Sequence, residues 1–343
     1  MRGKLKSLKM KGSRAATLLL CALCAVSGSA FAQSGRRIQP PSAHALNAET
    51  ESRKDSSAVM IRQISVRRAE FYDENERRVE GQPSDWALYG YDREGRLAKE
   101  GIYATDGSFR RRVFYTYDRK GNKIAEAVYG THGYPLYQYV FAYDADGRML
   151  SDTYYSYDGS ARYKGITLYD ENGNKIKSLR YTSNASLSSS RLYNAAGQVA
   201  EEIVYKEKGA VACRIIYSYD AAGRKSAEAY YQAGGRLYNE SRPDQSRRLY
   251  VYDHRGSLVE EQSYNADGSM SWKKLYSYDE KGNLTGEAHY QRGLTLLCQR
   301  IYAYEFDPHG NWTKRVMSET SAAGGAAYKP LEVLYRTITY YER

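Results

Sequence analysis

The stretch Val113-Phe114-Tyr115-Thr116-Tyr117-Asp118-Arg119-Lys120-Gly121-Asn122-Lys123-Ile124-Ala125-Glu126-Ala127-Val128-Tyr129 decides how this chain folds. Before the Asp, Val113, Tyr115 and Tyr117 alternate with Phe114 and Thr116, which is the two-residue period of a strand. Asp118 then opens a type I turn, and Gly121 supplies the positive φ that closes a three-residue hairpin loop with a G1 bulge. The stretch is a β-hairpin.

The same hairpin recurs along the chain. Tyr91, Tyr117, Tyr143, Tyr169, Tyr193, Tyr219, Tyr252 and Tyr278 are each followed by Asp or Asn, then by Gly three residues further on, and Phe306-Asp307 with Gly310 extends the series. Twelve residues after each of these eight tyrosines stands another, from Tyr103 and Tyr129 to Tyr264 and Tyr290. The series accounts for much of a composition with 36 Tyr in 343 residues. The modal period of 26 residues, as from Tyr91 to Tyr117, is long enough for two strands and two turns. The expected fold class is all-β: tandem hairpin repeats forming one long, curled antiparallel sheet, solenoid-like or spiral, because about 18 strands do not stay flat without a partner layer.

Three-residue loops at both ends predict a register with two distinct faces. One carries the tyrosines with small partners such as Gly101, Ala125, Ala127 and Ala229; the other carries Leu88, Phe114, Val140, Ile166, Ile216, Leu249 and Leu275. The aliphatic face is also expected to hold a series of acids, Glu100, Glu126, Asp152, Glu202, Glu228, Glu261 and Glu287, with Ser178 as the one exception. In this register Glu100 faces Arg112, Asp152 faces Lys164, Glu202 faces Arg214 and Glu261 faces Lys273, a structural charge ladder rather than a metal site or a catalytic acid pair. The terminal strands, Ala58–Tyr72 with Arg62, Arg67 and Arg68 and then Tyr328–Tyr341, are expected to cap the array, their charges discouraging edge-to-edge pairing.

Residues 1–32 read as a signal peptide: six basic residues precede the apolar run Ala15–Val26, and Ala30-Phe31-Ala32 marks cleavage before Gln33. The run is too short to span a bilayer, which takes about 20 residues, so no membrane span is expected after cleavage. Losing the leader lowers the formal charge from +11 to +5, too small a bias to suggest nucleic acid. Residues 33–57, with Pro40-Pro41 and many Ser, Glu and Lys, read as a disordered linker before a β domain at 58–343. Cys213 and Cys298 occupy matching places on strands six steps apart in an open stack and are expected to be free thiols. The five His follow no recurring offset to an acid or nucleophile, and Asp144-Ala145-Asp146-Gly147 lacks the further ligands of a calcium-binding EF-hand. No enzyme, metal or cofactor is expected.

Tyr117-Asp118-Arg119-Lys120-Gly121-Asn122, Tyr169-Asp170-Glu171-Asn172-Gly173-Asn174 and Tyr278-Asp279-Glu280-Lys281-Gly282-Asn283 resemble the YD repeats of the Rhs family, a likeness covering residues 91–311. The resemblance implies antiparallel strands wound into a spiral sheet, which in the largest members encloses a toxin. This chain has a longer period, fewer repeats and no toxin segment after the array, so the likeness bears on fold rather than on function.

The resulting expectation is a periplasmic or secreted interaction scaffold that holds an envelope glycan or protein. Its binding surface would be the tyrosine strip Tyr115, Tyr117, Tyr129, Tyr143 and Tyr155, or the inserted loop around Asn239, Arg242 and Asp244. The alternative is a structural or self-assembling envelope component without a small ligand.

Overall fold

The computed structural model describes residues 60–104, 106–237, 246–321 and 327–342. The expected leader and linker, and Asn239, Arg242 and Asp244, lie outside the described residues. Within them the chain is almost entirely antiparallel strand, and helix is confined to single 3-10 turns such as Thr131–Gly133 and Glu207–Gly209.

The Tyr-Asp-x-x-Gly turns form as their chemistry dictates. The Asp118 N–H donates to the Asn122 carbonyl (2.9 Å), the Gly121 N–H donates to the Asp118 carbonyl (3.1 Å), and Gly121 sits at φ +89°. The Asp118 carboxylate accepts the backbone N–H groups of Lys120 and Asn122 at 2.9 and 2.8 Å, satisfying two donors of the turn. The tyrosines that enter these turns also have a structural use. The Tyr117 hydroxyl donates to the Leu97 carbonyl at 2.8 Å, twenty residues back, and Tyr143, Tyr169, Tyr219, Tyr278 and Tyr304 repeat the bond to Lys123, Met149, Val199, Leu258 and Leu284. These six hairpins are each pinned in this way to the hairpin before.

Every well-defined hairpin also contains a device that the alternating pattern does not reveal. After each turn the register slips by one residue: Tyr117 pairs with Lys123, but Thr116 pairs with Ala125, so Ile124 is an extra residue in its strand. At the opposite turn Tyr103 pairs with Phe109 and Ile102 with Arg111, so Arg110 is extra. These are β-bulges, and they change which residues share a face. Glu100 stands opposite Val113, while Arg112 stands opposite Gly101. The predicted ladder of Glu100 with Arg112, Asp152 with Lys164, Glu202 with Arg214 and Glu261 with Lys273 is therefore corrected. In each pair the two side chains occupy opposite faces, and the acids lie on the tyrosine face, where Tyr115 is opposite Glu126.

The expectation of an open, curled sheet is overturned. Strand Ile61–Glu74 pairs with Ser84–Tyr91 along one edge and with Lys329–Tyr340 along the other, which closes a barrel of twenty antiparallel strands. The short strand Arg77–Glu80 pairs only with the end of Ile61–Glu74 and stands outside the ring. The two predicted caps are thus each other's partners. Arg68, read as an edge charge, reaches Glu332 at 2.6 Å. Bulges in nearly every strand add coiling to the intrinsic twist, and a strongly coiled sheet of this width meets its own end.

The tyrosine and carboxylate face lines the lumen. Its side chains meet across intervening strands, as Arg180 meets Asp152 at 3.7 Å over Gly165, a crowding that a concave surface imposes. The opposite face splays outward, leaving Phe114 42% and Ile216 36% exposed. Near the seam the lumen face carries an apolar cluster of Ile64, Val66, Ala87, Trp312 and Leu334, all buried. Twenty strands at about 4.8 Å spacing give a barrel at least roughly 30 Å between facing backbones, too wide for side chains to fill. Cys213 and Cys298 both project from the lumen face and both are free thiols.

Candidate binding site on the lumen face

A belt of carboxylates circles the lumen, generally one per hairpin, each held by cations or tyrosine hydroxyls. Glu126 binds Lys123 at 2.8 Å, and Glu202 takes a two-pronged contact from Arg191 at 3.0 and 3.2 Å. Glu228, nearly buried, binds Lys225 at 2.8 Å, Tyr230 at 3.1 Å and Arg248 at 3.7 Å. Burial alone would raise the Glu228 carboxyl, but the hydrogen bond and charge of Lys225 outweigh it and hold the group below the ordinary carboxylate range. Glu100 goes the other way: burial raises it, and Arg111 at 3.6 Å only partly offsets that. The tyrosines between these acids are raised by burial and then by the adjacent carboxylates, Tyr230 to about 12.

Among the eight Tyr-Asp or Tyr-Asn hairpins the belt lacks its acid in one place. The strand Lys175–Thr182 carries Ser178 where the series has an acid, and the preceding strand carries Gly165 directly between Asp152 and Arg180. Ser189 follows opposite Arg180 on the next strand. The missing side-chain volume leaves a cleft of about 390 Å³ floored by Gly165, Thr167, Ser178 and Ser189 and walled by Tyr139, Phe141, Asp152, Arg180 and Arg191. A Cβ on Gly165 would overlap the Asp152 carboxylate, so glycine is what lets Asp152 lean across to Arg180.

One wall is an aromatic bank. Tyr139 packs on Tyr154 at 5.1 Å between centroids, Tyr154 on Tyr163 at 4.9 Å, and the Arg180 guanidinium lies 5.9 Å from the Tyr163 ring. Burial pushes the Tyr139 hydroxyl up to about 12, so it stays a neutral donor at ordinary pH. At the far side Ser178 and Tyr193 share a hydroxyl contact at 3.2 Å. Flat apolar rings beside fixed charged and hydroxyl groups form a surface that grips a molecule with both an apolar face and many hydroxyls. Among the described residues no three His, Cys, Asp or Glu side chains converge to hold a metal ion.

The five tyrosines expected to form one strip are divided among three places. Tyr115 faces the lumen between Glu100 and Glu126 with the Lys123 ammonium 5.3 Å from its ring. Tyr117 and Tyr143 are the inter-hairpin pins on the rim of the Tyr-Asp-x-x-Gly turns. Tyr129 faces outward, edge-on to Phe114 at 5.7 Å, and Tyr155, opposite Gln138, also faces outward. The alternation of inward and outward side chains, shifted by each bulge, separates them. None of the five lines the cleft; sequence reasoning noted Ser178 as the exception in the acid series but lacked the register that places Gly165 and Ser189 beside it.

No protein-family model matches the chain, and no curated protein matches it, so the Rhs resemblance has no family match behind it. Among solved structures, a porin-like protein from Bacteroides uniformis is 10% identical over 82% of this chain and 99% of its own, with a TM-score of 0.36. A second porin-like protein, from Bacteroides vulgatus, is 10% identical over 81% of this chain and 98% of its own, with a TM-score of 0.23. A TcdB2-TccC3-Cdc42 complex matches at 10% identity over 81% of this chain but 21% of its own, with a TM-score of 0.24. Likeness at these levels assigns neither a family nor an activity.

Proposed function

We propose that this chain is an exported binding protein of the cell envelope, and that the lumen cleft at Gly165, Ser178 and Ser189 holds a saccharide segment. The observation that carries the reading is the one acid missing among the eight Tyr-Asp or Tyr-Asn hairpins. A repeat that only had to close a barrel has no reason to drop an acid at 178 and a side chain at 165 on neighbouring strands, beside an aromatic bank. Binding rather than hydrolysis fits the acids present, since Asp152 and Glu126 are each engaged by a cation.

The outer face supports an aqueous setting. A membrane barrel presents an apolar band about 25 Å tall, whereas here Arg112, Lys164, Arg214 and Lys273 sit mid-strand, one outward position from Phe114, Ile166, Ile216 and Leu275. Each such charge at a bilayer midplane would cost about 2–4 kcal/mol. A self-assembling element would add strands at an open edge, and the twenty-strand ring offers none.

Calorimetric titration with a panel of short oligosaccharides tests the proposal. Binding that is lost in Gly165→Leu, which fills the cleft, and weakened by Tyr139→Ala is the expected result. Saccharide binding indifferent to both changes, or none at all, overturns it.

A further inference from the structure

Two residues after the turn glycine, three of the hairpins carry a lysine: Lys123, Lys175 and Lys225. Three residues further on stand Glu126, Ser178 and Glu228. In the first and last of these hairpins the ammonium binds the acid at 2.8 Å while lying over an aromatic ring, Lys123 5.0 Å from Phe141 and Lys225 4.5 Å from Tyr250. Lys175 keeps the ring contact, 5.1 Å from Tyr193, but a serine hydroxyl stands where the other two hairpins place the carboxylate. Among the described residues no carboxylate lies within ion-pair distance of its ammonium.

Lys175 lines the cleft described above, at the end nearest the Tyr-Asp-x-x-Gly turns, with Ser178, Arg191 and Tyr193. The other charges lining the cleft are matched. Glu126 is held by Lys123, Asp152 by Arg180 at 3.7 Å, and Arg191 is bound by both oxygens of Glu202. Lys175 is the cation left over. Beside it, Tyr193 belongs to the series whose hydroxyls pin one hairpin to the next, yet its hydroxyl meets Ser178 at 3.2 Å. One ammonium and two hydroxyls therefore gather where the belt elsewhere presents an acid.

We infer that the Lys175 end of the cleft receives the carboxylate of an acidic saccharide, in the place that Glu126 and Glu228 fill in the other two lysine-bearing hairpins. The inference rests on the saccharide reading above and narrows it to uronic-acid-type ligands. The belt itself supplies the template. Lys225 holds the Glu228 carboxyl below the ordinary range, and the Tyr230 hydroxyl donates to it at 3.1 Å, the same two donor types that Lys175 and Tyr193 offer. Arg180, beside the aromatic bank, is five residues along the strand from Lys175, one of them the bulge residue Ile176. At about 3.3 Å per residue that is roughly 13–16 Å, so a ligand that touches both ends has more than one sugar unit. The lumen is wet, so the charge selectivity is moderate rather than absolute.

The test titrates the full chain calorimetrically with trigalacturonate, with the neutral trigalactose and with inorganic phosphate. Trigalacturonate is expected to bind more tightly than trigalactose, with the preference falling as salt rises. Lys175→Gln is expected to remove that preference, weakening trigalacturonate roughly three- to tenfold, as for losing one partly solvated ion pair, and leaving trigalactose unchanged. Ser178→Glu returns the acid of the belt: paired with Lys175, it is expected to raise the melting temperature and to exclude trigalacturonate. Melting temperatures confirm that each variant folds. Trigalacturonate bound no better than trigalactose, or a preference that survives Lys175→Gln, overturns this inference while the cleft proposal stands. Inorganic phosphate competing as well as trigalacturonate also overturns it, since the sugar then has no role. Failure of every saccharide overturns both readings.

Discussion

Glu228 offers the sharpest energetic test of which face is inside. Its side chain is 6% exposed and is engaged by Lys225 at 2.8 Å, Tyr230 at 3.1 Å and Arg248 at 3.7 Å. Glu228→Gln keeps the shape but removes the charge that satisfies two cations in a half-desolvated place. A charge-assisted hydrogen bond is worth about 1.5–3 kcal/mol, and water in the lumen favours the lower half of that range, about 2 kcal/mol. At roughly 2–4 °C per kcal/mol for a domain of this size, the melting temperature should fall by about 4–8 °C at pH 7. Glu305, 66% exposed on the outer face and bonded to Lys314 at 2.9 Å, is the matched control. Glu305→Gln should cost only about 0.2–1 kcal/mol. The pH dependence has a definite sign. The folded carboxyl of Glu228 lies below its model value of 4.5, so its stabilisation is complete above that value and is lost as pH falls through the lower folded one. Wild type and Glu228→Gln should therefore converge in acid. Differential scanning calorimetry decides the matter: equal shifts for the two variants, or a Glu228→Gln deficit that persists in acid, would refute the assignment of faces.

Four further outcomes follow from the same geometry. Glu100 is raised by burial, so its ionisation costs stability at neutral pH, and Glu100→Gln should leave the melting temperature unchanged or higher at pH 7, with the gain vanishing as pH drops below about 4.5. Tyr143→Phe removes the pin to the Lys123 carbonyl and should cost about 0.5–1.5 kcal/mol in chemical denaturation with no change in strand content by circular dichroism. Ala185 holds φ +59° at the turn position where most other repeats place glycine, so Ala185→Gly should stabilise by about 1 kcal/mol; a loss of stability would contradict it. The Asp118 carboxyl is held below its ordinary range by Asn122 and by turn N–H groups, so Asp118→Ala should destabilise at neutral pH and matter less as acid protonates the native carboxylate.

The hairpins were legible because their chemistry is local. Asp118 and Gly121 dictate a turn wherever they fall, and the recurrence of Tyr at twelve residues fixes strand length. The bulges were not legible, because the extra residue looks like any strand residue: Ile124, Leu150 and Ile176 are apolar and continue the run. Missing one residue per strand reversed the face of every acid, moving Glu100 and Glu126 from the aliphatic side to the lumen. Closure was hidden for a different reason. Arg68 and Glu332 are 264 residues apart, and nothing local in either terminal strand says that the other is its partner. The cleft lay between these cases: Ser178 was visible as an exception, but its nearness to Gly165 and Ser189 exists only once the bulged register is known.

The central claim is that the sheet closes, and a cross-link across the seam tests it most directly. Ser65 in Ile61–Glu74 is the register partner of Thr337 in Lys329–Tyr340. Directly opposed residues on antiparallel strands have Cα atoms about 4.5–5.5 Å apart, within reach of a disulfide. In an open stack the same two residues would be roughly 90 Å apart at about 4.8 Å per strand. In a Cys213→Ser, Cys298→Ser background, Ser65→Cys with Thr337→Cys should oxidise to one intramolecular disulfide, seen as a loss of two hydrogens in the monomer mass and a single peptide joining the two ends after digestion. Two reactive thiols remaining in the folded, oxidised monomer would mean that the ends do not meet, and the barrel would be wrong.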